Sequence, residues 1–420
     1  MTDKDESRVP GDRLAWYLRG VWSYFISTGI QAVIVPWILA FVLNVSSDQL
    51  GIAQMLSMLP MLLVGLFGGA IADRAELRSH LFRLLIISIF PPMLLAAVIL
   101  TDNLSYWAMI CYAILLSTLG GFIVPARDSL LSRVVMARQG GNIQHAVALA
   151  MGGQFLGQVI GFMLGGTANR IGVPLLLFSQ CLLIAFSAFT VTRLLPAPSL
   201  HAFDKARSPL RDVLDGLKAI WASDRIRPVL IFQFFGGVLF MGIFMVLFPI
   251  LVRDVYHGDS LQMGLLLMSF FAGIGLSSLM VSRFGAIQHQ GRVIMLMSII
   301  SVTVMLLIHI QPPIWAVAVL ALIWGLGSGV AMTISRSIVQ VDSSEAMRGR
   351  MLAGFQLGSM GGGPIGAALT GYVIHWLGPQ DALLIPCALM LILWLCVFFF
   401  TPLWSMKAPR HVAAPGGLAR

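Results

Sequence analysis

The chain has 420 residues, of which 58% are hydrophobic and 11% are charged, against roughly 25% charged in an ordinary soluble domain. Too little polar surface is available to cover such a chain in water, which excludes a soluble globular protein and makes lipid the expected solvent. The formal charge of +9 would suggest a nucleic-acid partner in a soluble protein, but here the basic residues are scattered between apolar runs and do not form one patch.

The first thirteen residues are polar and mixed in charge, with no short apolar stretch ending in a small-residue cleavage site, so no signal peptide is expected. Crossing roughly 30 Å of hydrocarbon takes about 20 apolar residues, and twelve apolar runs of about that length follow, bounded by charge. In the first half they cover residues 21–43, 50–72, 84–101, 104–126, 146–168 and 173–192. In the second half they cover 228–252, 263–282, 293–310, 314–335, 351–377 and 383–400. Strands of a membrane barrel would alternate over about ten residues, whereas these runs are longer and apolar on every face, so they are predicted helices. Lysine and arginine favour cytoplasmic loops. Placing both termini inside leaves only Arg170 and Arg253 of the 27 basic residues on the outer side.

One long connection, rich in proline and charge, separates the sixth run from the seventh and predicts a division into an N-terminal six-helix bundle (1–194), a linker (195–227) and a C-terminal six-helix bundle (228–420). Within the linker, Ser208 is a candidate cap for a helix starting at Pro209. Leu210, Val213, Leu214, Leu217, Ile220 and Trp221 recur there at helical spacing, predicting an amphipathic helix along the inner face. The halves also echo one another: Gly157, Gly161 and Gly165 in the fifth run are matched by Gly358, Gly362 and Gly366 in the eleventh, a constant displacement of 201 residues. Glycines every fourth residue make a groove that lets a neighbouring helix approach closely. Repeated halves with a substrate site between them are a recurring architecture of secondary transporters.

The stretch Gly69-Ala-Ile-Ala-Asp73-Arg74-Ala-Glu76-Leu-Arg78 resembles the loop signature of the major facilitator superfamily, with Glu76 where that signature has a glycine. The resemblance implies a twelve-helix, all-α membrane transporter built as two pseudo-symmetric six-helix bundles. It further implies a cytoplasmic gate made by Gly69, Asp73, Arg74 and Arg78, with Arg127 at the end of the fourth run as the basic partner of Asp73. The run Gly157-Gln-Val-Ile-Gly161-Phe162-Met-Leu-Gly165-Gly166 is similar to the glycine signature of the superfamily's exporters, with Phe162 replacing a proline. Pro125-Ala126-Arg127-Asp128, the segment from Ser344 to Arg350 and the Leu50-Gly51 pair resemble the bacterial branch containing the enterobactin and macrolide exporters.

No acidic residue lies at the centre of an apolar run, where a charge costs about 2.5 to 3.5 kcal/mol on insertion scales. Deep polar groups are instead amides and aromatics, and Gln31, Gln54, Gln154, Gln233, Trp324 and Gln356 are the candidate substrate contacts. Such a lining suits a neutral amphipathic molecule. The expected activity is export of such a molecule by alternating access with proton coupling. A facilitator or importer of the same fold, without proton coupling, is the alternative. A membrane-embedded enzyme or sensor is disfavoured, because no cluster of nucleophile, base or metal ligands occurs at one depth. Neither cofactor nor metal is expected. The remaining expectations are a monomer in the bacterial inner membrane, with a small-molecule substrate, protons and the lipid bilayer as partners and no nucleic acid.

Overall fold

The computed structural model describes residues 11–74, 76–136, 143–196, 209–283, 287–344 and 347–407. Every regular element among these residues is helical. The first half contains α1 (Gly11–Trp37), ending in a π-helical turn (Ile38–Val42), α2 (Ser47–Arg74), α3 (Leu77–Ile87) and α4 (Phe90–Leu100). It continues with α5 (Tyr106–Met136), α6 (Ile143–Gly166), the single turn α7 (Ala168–Ile171) and α8 (Val173–Thr192). Then come α9 (Pro209–Ala222), α10 (Ile226–Gly242), a π turn (Ile243–Leu247), α11 (Phe248–Ile250) and a second π turn (Leu251–Val255). The rest is α12 (Ser260–Arg283), α13 (Gln290–His309), α14 (Ile314–Asp342), α15 (Arg348–Asp381) and α16 (Leu384–Phe400).

Each of the twelve expected runs carries helix over most of its length, as it must where lipid offers the backbone no hydrogen-bond partner. Among the described residues nine helical stretches are long and apolar enough to cross a membrane, and the pair α15 and α16, bent by 103°, makes ten. The third run starts seven residues earlier than expected, at Leu77, and is interrupted before Pro91 and Pro92, whose rings withhold two backbone N–H groups. Its early start has a local cause. The Glu76 carboxylate accepts from Arg78 N at 3.2 Å and Ser79 N at 2.7 Å, capping α3, so the departure from the family glycine supplies a partner for two otherwise orphaned donors.

The chain forms two compact units. The first holds Met1–Leu210 together with Phe248–Met268, and the second holds Arg211–Leu247 together with Ser269–Arg420. In the first, α1 lies along α6 and α8, and α2 lies along α5; in the second, α10 lies along α15 and α13 along α14. The matched glycines explain the close packing of α1 on α6 and of α10 on α15. A Cβ on Gly161 would strike Ile26 O and Gly29 of α1, and one on Gly165 would strike Val33. A Cβ on Gly362 would strike Phe234 O and Val238 of α10, and one on Gly366 would strike Val238 O. Gly157 and Gly358 face Trp22 O and Leu230 in the same two pairs. Backbone-to-backbone approach of this kind is how helices associate where no hydrophobic effect drives them together.

A second repeat lies at the ends of α1 and α11. Pro36 and Pro249 each precede a π turn, Asn44 and His257 each take a left-handed φ (48° and 46°), and Ser47 and Ser260 each begin the next helix. All three pairs are displaced by 213 residues (36 to 249, 44 to 257, 47 to 260). The linker helix α9 starts at Pro209 as expected, while its candidate cap Ser208 lies outside the described residues. Val213, Gly216 and Ile220 form its buried face, and Leu214 and Trp221 are exposed. Gly216 sits against the Arg350 backbone at the start of α15, and Arg350 Nε meets Asp212 Oδ1 at 2.9 Å.

Candidate functional site

Arg127 lies on α5, two residues beyond Pro125, and is the one charged residue that is fully buried among those described, at 8% exposure. Burying a guanidinium costs several kcal/mol unless it is well compensated. The compensation is partial. Nε and Nη2 both donate to Asp128 Oδ1, at 3.1 and 2.7 Å, and the guanidinium stands 4.5 Å from the centre of the Phe25 ring, a favourable cation–π placement. Asp128 itself is largely solvent-exposed, which weakens its Coulomb attraction. The third nitrogen, Nη1, is buried without any partner. Arg127 lines a small, partly open and mainly apolar pocket of about 20 Å³ between α1, α3, α5 and α8, whose other polar lining residues are Tyr17, Tyr24, Ser187 and Thr190.

At the far end of α1 a second arginine is fully employed. Arg253, in the π turn after α11, donates through Nη1 to Ala40 O at 2.8 Å, Asn44 Oδ1 at 3.1 Å and Val45 O at 3.2 Å. Its Nε and Nη2 meet the two oxygens of Asp254 at 2.6 and 3.0 Å. The carbonyls at a helix C-terminus have no intrahelical partners and carry the negative end of the dipole, so a cation suits this position. Nearby, Ser260 Oγ donates to Gly166 O at 2.8 Å and accepts from Asn169 N at 3.0 Å, and Gly264 rests against Phe162 O. Phe162, which replaces the exporter proline, is 1% exposed. Tyr256, which ends the π turn, has its phenol pKa raised by burial and stays protonated.

Of the predicted gate, Arg78 Nη2 donates to Thr192 O at 2.7 Å and so caps the C-terminal end of α8. Gly69, Asp73 and Arg74 fall on α2 where side chains lie outside the described residues, while Arg127 pairs with its neighbour Asp128. The candidate substrate contacts spread over both units. Gln54 is buried with Nε2 unpartnered, its Oε1 accepting from Ser57 Oγ at 3.4 Å. Gln31, Gln154 and Gln233 are half-buried on α1, α6 and α10. Gln356 is exposed on α15, with Nε2 2.9 Å from Met360 Sδ. Trp324 is 2% exposed and packs on Phe270, Phe240 and Phe244, with ring centres at 4.5, 6.2 and 6.3 Å. Sequence reasoning missed Tyr17, Ser187, Thr190 and Ser260, which carry no motif. It had a signal for Arg253, one of two basic residues on the outer side of the inferred topology.

Residues 18–414 match the model of the family described as Transmembrane secretion effector. Among similar proteins, the multidrug efflux pump Tap of Mycolicibacterium fortuitum is 26% identical over 82% of this chain and 84% of that protein. The enterobactin exporter EntS of Citrobacter koseri is 27% identical over 82% of this chain and 81% of its own. The crystal structure of the nucleoside transporter NupG shares the fold, with a TM-score of 0.75 at 15% identity over 93% of this chain and all of that one. A bacterial homologue of the lysosomal transporter Spinster aligns with a TM-score of 0.67 at 14% identity, over 94% of this chain and 98% of its own. The glycine-packed helices, the repeated halves and the length of the match agree: the chain belongs to the Transmembrane secretion effector family of the major facilitator superfamily, and is a multi-pass membrane transporter of small molecules and not an enzyme.

Proposed function

We propose that this transporter exports a small, neutral or weakly charged amphipathic molecule from the bacterial cytoplasm across the inner membrane, by alternating access coupled to proton entry. The observation that carries the reading is the extended similarity to two exporters, Tap and EntS, over more than four-fifths of the chain. Chemistry supports the substrate class. Among the described residues no carboxylate is buried, so a cationic substrate has no buried counter-ion, while the deep polar groups are amides and aromatics that suit an amphipathic ligand. No glycine loop with lysine of the phosphate-cradling kind occurs in the sequence, which leaves an ion gradient as the energy source. In this reading the protein works as a monomer in the lipid bilayer, with both termini cytoplasmic and the similar halves 1–194 and 228–420 alternating between inward-open and outward-open states.

The test is accumulation of a fluorescent amphipathic dye in inside-out vesicles bearing the protein. An acid-interior gradient should drive uptake, and a protonophore should abolish it. Movement at the same rate with and without the protonophore would favour the facilitator reading and remove the proton-coupling claim. A further arm asks the same of enterobactin and a macrolide.

A further inference from the structure

At the end of the first unit where α1 begins, three guanidiniums gather without a carboxylate among the described residues to neutralise them. Arg19 of α1 stands 4.8 Å from the centre of the Trp16 ring. Arg193, just past α8, stands 5.8 Å from that ring and 4.9 Å from the Phe189 ring. Arg78, at the start of α3, reaches the same place, its Nη2 donating to Thr192 O at 2.7 Å. Trp16 and Phe189 meet edge to face at 6.0 Å, so aromatic rings join α1 to α8 there. The negative end of the α8 dipole accounts for Arg78, but Arg19 and Arg193 are exposed. Glu76, two residues before Arg78, has both carboxylate oxygens on backbone donors of α3. From Arg193 an exposed stripe runs back along α8: Phe189, Phe186 and Leu182 are 43%, 43% and 72% exposed. Positions 182, 186, 189 and 193 share one face of a helix. Their separation of 11 residues (193 − 182) spans roughly 16 Å at 1.5 Å per residue, against about 15 Å for the hydrocarbon of one leaflet.

We propose that this face holds one anionic phospholipid of the surrounding bilayer, its phosphate on Arg19 and Arg193 and an acyl chain along positions 182–189. Three features select the ligand. The two exposed guanidiniums lack an anion, and their planar forks suit phosphate oxygens. Both lie against aromatic rings, which steadies them at headgroup level, where Trp and Arg are the usual anchors. Finally, the apolar stripe continues from Arg193 for the depth of one leaflet, so a molecule with a charged head and a long tail covers all of it. A soluble polyanion uses the cations and leaves the stripe bare. A zwitterionic lipid brings an ammonium of its own, which the arginines repel. Under the topology proposed above the leaflet is the inner one; the direction and coupling of transport play no part in the assignment.

The test is native mass spectrometry of the purified full chain in a non-ionic detergent, titrated with phosphatidylglycerol or with phosphatidylcholine of the same acyl chains. The first phosphatidylglycerol should bind more tightly than the first phosphatidylcholine. Arg19→Gln and Arg193→Gln should each weaken phosphatidylglycerol about fivefold and leave phosphatidylcholine unchanged, and Arg193→Lys should keep most of the preference. Both side chains are exposed, so the fold tolerates these changes, and the unchanged phosphatidylcholine binding serves as the check. Glycerol 3-phosphate, a headgroup without chains, and soluble polyglutamate should not displace the lipid. Equal affinity for the two lipids, an undiminished preference in the Arg19→Gln, Arg193→Gln double variant, or displacement by glycerol 3-phosphate or polyglutamate would each overturn the proposal.

Discussion

Two arginines at opposite ends of α1 have been treated very differently by the fold. Arg253 has each of its three nitrogens engaged, by three acceptors at the C-terminal end of α1 and both oxygens of Asp254. Arg127 is more deeply buried but has two nitrogens on one exposed carboxylate and the third on nothing. The contrast separates a charge used for fastening from one whose burial is only partly compensated. A saturated guanidinium stabilises the arrangement it sits in, and an unsaturated one leaves part of its desolvation cost standing.

The comparison breaks most visibly at Arg253. Replacing it by Ala removes several charge-assisted hydrogen bonds and leaves Asp254 unpaired, a loss of about 3 kcal/mol in unfolding free energy, read as a lower Tm in detergent. Arg253→Lys should recover only part of it, because an ammonium cannot span the carbonyls and the carboxylate together. Unchanged Tm in both variants would show that the contacts do no fastening. A smaller loss, about 1.5 kcal/mol, is expected for Ser260→Ala, which strands Gly166 O and Asn169 N at the same end of the unit. The smallest effect belongs to Asp128→Asn. Its carboxylate is exposed and its partner a neighbour in sequence, so the expected loss is under about 1 kcal/mol and fades with added salt. If Asp128→Asn proved as damaging as Arg253→Ala, Arg127 would be held as tightly as Arg253 and the contrast would fail.

How much of this could be read beforehand depends on distance in sequence. Helix positions were legible because a span must be apolar along its whole length. The interface glycines were legible because a repeat of four residues is a local pattern, and both sets do face a backbone. The early start of the third run at Leu77 and the capping role of Glu76 are also local, yet the apolar run alone puts the start at residue 84, and Glu76 reads in sequence only as a departure from a motif. The cavity around Arg127 was not legible. Its wall combines Tyr17 with Thr190 and Leu81 with Ile123, and no periodicity in any one helix reports which residues three other helices will bring to it. The fate of Arg253 was half visible: a basic residue where the charge bias disfavours one was noticed, but the carbonyls it serves lie more than 200 positions away in the chain.

The 213-residue displacement that relates Pro36 to Pro249 and Ser47 to Ser260 also relates position 40 to position 253. Arg253 therefore hands its proton donor to the carbonyl of its own counterpart, Ala40. Ala40 is 0% exposed, so position 40 has no room for the long cationic side chain that position 253 carries. The two repeated turns therefore share a backbone shape while dividing the work, one supplying the carbonyl and the other the charge.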